Sequence, residues 1–297
     1  LVTAFISKKE SVNYILNSSF DFWQRGTSFT AVGYTADRWY LATRTATTLS
    51  RQVRDPGAYG QYVLRLAATA DTNSCSLFQP LESIYVKQIA GKIVTFSFYA
   101  YSSSGSEYLT YSIIKNSTAN VASTGTWTDI VSKTSVMSSS DGNDLRRYSI
   151  SATIPYDGTA EGIAVKFSTS NIFNTANINI FDVQLEEGPE PTPFRQNSNN
   201  AQAELAACMR YYQVHDYIFG VSDSVWKFAT NPLGNILRTT PSSIIAGAVT
   251  TPASGTSLGT NVSMTISSKT GFYSSVGSAG ASTWISFESV KVVAELL

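Results

Sequence analysis

Ile93-Val94-Thr95-Phe96-Ser97-Phe98-Tyr99-Ala100-Tyr101 alternates without a break. Val94, Phe96, Phe98 and Ala100 fall on one side of an extended chain, and Thr95, Ser97, Tyr99 and Tyr101 on the other. That is the period of a β-strand with one apolar face, and it decides the class of the fold. The same alternation recurs over 109–113, 149–154, 162–167 and 178–185. Between these runs stand turn signals: Asp55-Pro56-Gly57, Asp141-Gly142-Asn143 and Asp157-Gly158. Many antiparallel strands at this spacing predict an all-β chain built on a jelly-roll β-sandwich.

Helical character is confined to one stretch, 199–213. Ala201-Gln202-Ala203-Glu204-Leu205-Ala206-Ala207 is rich in helix formers, and Asn199 or Asn200 can cap it. Leu205, Cys208, Met209 and Tyr212 make one apolar stripe. Upstream, Gly188-Pro189-Glu190-Pro191-Thr192-Pro193 cannot sustain a ladder, because each proline lacks a donor N–H. The expected organisation is a connecting segment at 1–13, a jelly roll at 14–195, a linker and short helix at 196–213, and a smaller C-terminal β domain at 214–297. The last part reads as strands at 243–249, 262–266, 271–276 and 284–296. Its large side chains are few, so its core is thin by area, and burial against copies of itself predicts an oligomer. The start, Leu1-Val2-Thr3, reads as the cut end of something longer.

Composition narrows the chemistry. Among 297 residues, 21 basic and 21 acidic side chains give no net charge. This argues against a nucleic-acid partner, whose phosphates demand a basic surface. Charged residues make up 14%, against about 25% in ordinary domains, and Ser and Thr fill the gap at about a quarter of the chain. No run of about 18 apolar residues exists to span a membrane as a helix. Cys75 and Cys208 stand far apart, without ligand spacing, and are expected as buried thiols.

The single histidine, His215, excludes most metal hydrolases and constrains any triad. Its ordinary reading is a polar residue at the end of the helix, favoured by the dipole. Gly255-Thr256-Ser257-Leu258-Gly259 matches a nucleophile elbow in letters only: a strand-like run follows it instead of a helix, and the histidine precedes the serine. Of the carboxylate pairs, Asp157 with Glu161 lies in a turn, and Glu186 with Glu187 is expected to be solvated before the proline-rich exit. The chain is therefore read as a non-enzyme.

Four segments in series carry a resemblance. Asn17-Ser18-Ser19-Phe20-Asp21-Phe22-Trp23-Gln24-Arg25-Gly26 is followed by Tyr34-Thr35-Ala36-Asp37-Arg38-Trp39. Then come Phe181-Asp182-Val183-Gln184-Leu185-Glu186-Glu187-Gly188 with Thr192-Pro193-Phe194, and finally Glu204-Leu205 with Cys208-Met209-Arg210-Tyr211-Tyr212. Over roughly 14–213 this order resembles the C-terminal region of bacteriophage tail fibres and related receptor-binding proteins, with Met209 standing where a glutamine is usual. The resemblance implies a module similar to carbohydrate-binding modules, carried on an extracellular virion fibre as a homotrimer. It also implies attachment to a bacterial surface polysaccharide or lipopolysaccharide, and contact with other tail proteins through the N-terminus. A structural Ca²⁺ between the first and last strands is a further implication, with Asp21 and Asp182 as hard oxygen ligands. Here Asp21 replaces the family's longer glutamate.

Candidate ligand contacts follow from residue type. Tyr99 and Tyr101, beside Thr95 and Ser97, offer rings for stacking and hydroxyls for hydrogen bonds. Trp127 lies in an expected loop, where an exposed indole suits binding. Trp23 and Trp39 are assigned to the core, and Arg25, Arg38 and Asp37 to fastening strand ends. In the last domain Tyr217, Phe219, Trp226, Tyr273 and Trp284 are the aromatic stock for a core or a receptor patch. Two other readings share this surface: a polysaccharide depolymerase or deacetylase, and a ligand-free trimerisation module.

Overall fold

The structure is a computed structural model that describes residues 12–54, 61–71, 73–120, 126–139, 146–172, 176–198 and 200–221, and beyond these the strands named below. The chain divides into two compact units, Leu1–Glu204 with Leu297, and Leu205–Leu296.

In the first unit the strands are β1 (Ser28–Phe29), β2 (Gly33–Tyr34), β3 (Tyr40–Thr45), β4 (Thr47–Val53), β5 (Tyr62–Ala68) and β6 (Ser74–Pro80). After helix α1 (Ser83–Ile89) come β7 (Ile93–Ser102), β8 (Tyr108–Asn116), β9 (Thr128–Val136), β10 (Arg146–Thr153), β11 (Gly162–Ser170) and β12 (Asn177–Glu187). They form two six-stranded antiparallel sheets, ordered β1-β4-β5-β12-β7-β10 and β2-β3-β6-β11-β8-β9. From β5 to β8, and again from β9 to β12, each strand lies in the other sheet from the one before it, a sandwich consistent with a jelly roll. The alternation in 93–101 is realised as β7: Val94, Phe96, Phe98 and Ala100 are fully buried between the sheets. There Phe98 meets Tyr111 edge-on at 4.9 Å and Phe167 at 4.8 Å. Each such ring contributes about 1.5–3 kcal/mol through burial.

Helix α1 has no counterpart in the sequence reading. It is short, its first residue follows Glu82 with no side-chain cap, and only Val86 and Ile89 are buried. Gly91, at φ +76°, ends it and returns the chain to β7. Helix α2 (Ala201–Met209) is shorter than the stretch 199–213, because Tyr212 already opens a strand. Asn200 Oδ1 caps it, accepting from Ala203 N at 2.8 Å. Its buried positions include Glu204 as well as Cys208, which an apolar stripe does not anticipate.

In the second unit β13 (Tyr212–Val221) pairs with β19 (Thr283–Val293), which also takes β15 (Ser243–Ile245) and β16 (Val249–Thr250). A separate sheet joins β14 (Ala229–Pro232), β18 (Gly271–Val276) and β17 (Val262–Ser268). His215 lies inside β13, in register with Val290, rather than at a helix end. Residues 251–261, with the Gly255–Gly259 letters, lie outside the described residues, as do the turns at 55–57 and 141–143 and Trp226.

Three of the four segments behind the resemblance, and Glu204 of the fourth, meet in the first unit through buried polar groups. Asn17 is wholly buried: its Oδ1 accepts from Phe22 N at 3.0 Å, and its Nδ2 donates to the Phe22 and Asp37 carbonyls. Asn17 N donates to Glu204 Oε1 at 2.6 Å, while Ser198 N donates to Glu204 Oε2 at 3.0 Å. Trp39, 0% exposed, donates from Nε1 to the Asn17 carbonyl, and Trp23 donates to the Phe20 carbonyl, so both indoles are core residues. Asp37 accepts from Gln24 N and Nε2, and Arg38 Nη2 donates to the Pro80 carbonyl at 2.8 Å. Asn13 and Gln79 act as substitute backbone, each bonding both an N–H and a C=O of neighbouring chain. Cys75 and Cys208 are buried and not joined in a disulfide; burial pushes the Cys75 thiol up to about 12.

Burial also raises the Glu204 carboxyl above its ordinary range, against the pull of its two N–H donors. A raised folded-state pKa means that the folded chain retains this proton longer than the unfolded one. Its contribution to stability is therefore fully present below about pH 4.3 and is lost as pH rises through the folded value. Glu204→Gln is expected to flatten that slope in melting curves taken from acid to neutral pH. Glu204→Ala leaves two buried donors without acceptors, at about 1–3 kcal/mol each, and urea titration should show a loss of at least about 2 kcal/mol.

Candidate functional site

The outer face of the first sheet is divided in two by one irregularity. In β12 the register with β7 shifts between Phe181 and Gln184, and Asp182 sits in the bulge at φ +49°, a conformation Asp tolerates better than most residues. Across the strands the outward pairs are Glu186 with Thr95 and Gln184 with Ser97 on one side of the bulge. On the other side they are Phe181 with Tyr99 and Asn179 with Tyr101.

The first half is roofed. The proline-rich stretch at 188–195 crosses it and is fastened by side chains, since it has no ladder of its own. Thr95 Oγ1 donates to the Gly188 carbonyl at 2.6 Å and Ser151 Oγ to the Pro189 carbonyl at 2.9 Å. Glu186 accepts from Thr192 N and Oγ1, and Gln184 Oε1 accepts from Arg195 N. Thr95, Ser97 and Glu186 are accordingly 0% exposed. Two expectations are corrected here: Glu186 is not solvated, and Thr95 and Ser97 do not share an open face with the tyrosines. The alternation of polar residues in 184–186 marked an outward face; nothing local announced the strap that covers it.

The second half is an aromatic column edged by guanidinium groups. Tyr99 stacks on Phe181 at 5.6 Å with the planes 10° apart, and Tyr101 meets Phe181 edge-on at 6.1 Å. Arg54 lies over the far side of this column, 3.8 Å from the Phe181 centroid, and Arg147 lies 5.7 Å from the Tyr99 centroid. Arg147 also donates to Ser97 Oγ and to the Thr192 carbonyl, so it ties the column to the strap. In the next row Arg65 Nε donates to Asn179 Oδ1 at 3.0 Å. Tyr99 and Tyr101 are half-buried, and Phe181 is buried beneath them. The sequence places Phe181 only in a strand and a resemblance motif, and does not single out the three arginines; the signal was the outward register of Asn179 and Phe181 beside the tyrosines.

Trp127 belongs to the opposite face of the sandwich. It stands just before β9, half-buried, packed on Phe78 at 5.7 Å within a cluster that includes Tyr40, Ile114 and Ala164. It does not stand out from a loop, and the structure does not bring it together with Tyr99 and Tyr101. A separate cleft of about 450 Å³ lies between α1 and the 155–161 turn, with Lys87, Tyr156 and Glu161 on its wall. Asp157 beside it serves the turn: Thr159 N and Oγ1 donate to its carboxylate and hold it below the usual range.

The residues expected to hold calcium do not fit the ion. Arg54 Nη1 donates to both Asp182 oxygens at 3.1 Å, and both side chains are buried. Asp21 accepts from Gln61 N at 2.9 Å and Ser19 Oγ at 2.7 Å. Ca²⁺ requires six to eight oxygens, and among the described residues no group of three or more acidic, histidine or cysteine side chains is placed to bind a metal. A guanidinium thus takes the role that the resemblance gives to a cation. Burial raises the Asp182 carboxyl, and Arg54 opposes that shift. Removing Arg54 strands a buried acid, so Arg54→Ala should lower stability by about 3–5 kcal/mol in denaturant titration. Adding EDTA or Ca²⁺ to the unaltered chain should leave its melting temperature in place.

No family model matches the chain, and no curated protein does. Among solved structures, the enzymatically active domain of tailspike protein 4 from bacteriophage CBA120 is 17% identical, with a TM-score of 0.42, over 60% of this chain and 22% of that one. The chain therefore spans under a quarter of the tailspike's length. TmCBM61, solved with β-1,4-galactotriose, is 14% identical over 59% of this chain and 99% of its own, with a TM-score of 0.38. The CBM22-2 xylan-binding domain of Paenibacillus barcinonensis Xyn10C is 15% identical over 51% and 92%, with a TM-score of 0.36. Likenesses at this level assign no function to the chain.

Proposed function

We propose that this chain is a virion tail-fibre, receptor-binding protein that attaches to a bacterial surface glycan without cleaving it. The observation that carries the reading is the half-buried pair Tyr99 and Tyr101 on the outward face of the first sheet, packed against Phe181 and bordered by hydrogen-bond donors. A sugar presents a C–H face to a ring and hydroxyls to the polar border, so an aromatic column between donors is the surface it requires. The motif resemblance supplies the setting: a homotrimeric fibre outside the cell, joined to other tail proteins through its N-terminal side. Single sites on such a surface bind weakly, and three copies per fibre with several fibres per particle multiply them through effective concentration. The low-charge, hydroxyl-rich composition suits a surface that must resist nonspecific adhesion.

The test is adsorption of the fluorescently labelled full chain to a panel of bacteria and to polysaccharide or lipopolysaccharide extracted from them. Saturable adsorption to at least one surface, lost in Tyr101→Ala while the melting curve is retained, is the expected result. New reducing ends or released acetate in the same incubations would replace attachment with depolymerase or deacetylase action. Failure to adsorb to every surface would leave only the trimerisation role. Light scattering of the full chain should give about three times 32.1 kDa; a monomer would remove the avidity argument.

A further inference from the structure

We infer that the Tyr99–Tyr101 platform selects acidic glycans, whose carboxylate or phosphate groups are received by Arg65 and Arg147; this deepens the proposed function and rests on it. Three guanidinium groups, those of Arg54, Arg65 and Arg147, lie on the open half of the face. Its acids are already consumed. Asp182 is paired with Arg54, and Glu186 is buried under the strap with its oxygens bonded to Thr192 and Gln184. Arg65 and Arg147 have no ion-pair partner among the described residues, and both remain half-buried rather than sealed. The Arg65 terminal nitrogens make no hydrogen bond there, since only its Nε is used, by Asn179. The Arg147 Nε is buried without an acceptor.

The spacing fits a chain of sugars rather than one ring. Arg65 on β5 and Arg147 on β10 are separated by three strand intervals through β12 and β7, about 14 Å across the sheet. By register, Arg65 aligns with Asn179 and Tyr101, and Arg147 with Tyr99 and Phe181, so the aromatic surface lies between the two cations. An oligosaccharide stacked on the rings therefore meets a fixed positive group near each end. A neutral glycan leaves both guanidinium groups without a counter-ion, whereas a charged one gains charge-assisted hydrogen bonds. Asn179 holds the Arg65 guanidinium, and Ser97 holds that of Arg147, so little ordering is needed on binding.

The experiment measures binding of the full chain to immobilised polymers in matched pairs at low and high salt. The pairs are polygalacturonate and gellan, each beside its carboxyl-reduced form, and a phosphomannan beside its dephosphorylated form. Expected is a preference of about tenfold or more for the charged member of at least one pair, the worth of one charge-assisted hydrogen bond, shrinking as salt rises. Preference in the uronate pairs identifies the carboxylate as the recognised group; preference in the phosphomannan pair identifies the phosphate. Arg65→Gln should remove the preference while sparing residual binding to the neutral polymers, and Arg65→Lys should restore part of it. Equal binding within every pair overturns the acidic selectivity and leaves the aromatic platform standing. Absence of binding to any polymer, or binding unchanged by Tyr101→Ala, overturns both.

Discussion

A single extra residue in β12 organises the outer face of the first sheet. Without the bulge at Asp182, the outward alternation of the strand would run unbroken, and Asp182 would point with the core or with solvent according to register alone. With it, Gln184 and Glu186 are re-aimed to meet the chain that crosses above them, and the carboxylate of Asp182 turns aside to Arg54. The consequence is a face with two chemistries. One half is a buried polar joint and the other an aromatic column with its two tyrosines partly exposed, and Arg147 spans the boundary by bonding to Ser97 and Thr192 while lying over Tyr99.

Burial in the first unit is unusual in how many polar side chains replace backbone partners. Asn13, Asn17, Gln79, Gln184, Glu186 and Glu204 are all buried, and each side chain bonds main-chain groups; Asn13, Gln79 and Glu204 reach groups 63 to 187 positions away. The reason is geometric. The chain at 12–24 and the strap at 188–198 cannot join a ladder, because turns and prolines interrupt them, so their N–H and C=O groups would otherwise be buried unsatisfied. An amide or carboxylate supplies both reach and two bonding atoms. The motifs that resemble phage receptor-binding proteins are made largely of these residues and of the indoles packed beside them. They therefore describe how the module is closed, while Tyr99 and Tyr101 lie outside them.

The pairing of Asp182 with a guanidinium makes the same point. A calcium site and an Arg–Asp pair satisfy the same buried carboxylate, and a motif that contains the aspartate does not say which is used. Here the partner is Arg54, 128 positions away, stacked on Phe181 as well. The pair thus stabilises the bulge and at the same time underlies the aromatic column.

The sandwich itself was legible in the sequence, because the strand period is two and its apolar side chains are numerous: 94, 96, 98 and 100 fall on one apolar face, and that face is the buried one. The capping asparagine and the core role of Trp23 and Trp39 were legible too, since each depends on neighbours within a few residues or on size and apolarity. Helix α1 was not, because seven residues with two buried side chains leave no periodic signal. Nor were the buried state of Glu186, the strap over Thr95 and Ser97, or the packed position of Trp127. Tyr99 and Tyr101 could be placed on an outward face but not beside Phe181 and the arginines. Periodicity, turn chemistry and composition are local and fix which faces a strand has. Which outward face is roofed and which charges meet there depend largely on contacts between residues 38 to 128 positions apart, and those only the tertiary structure decided.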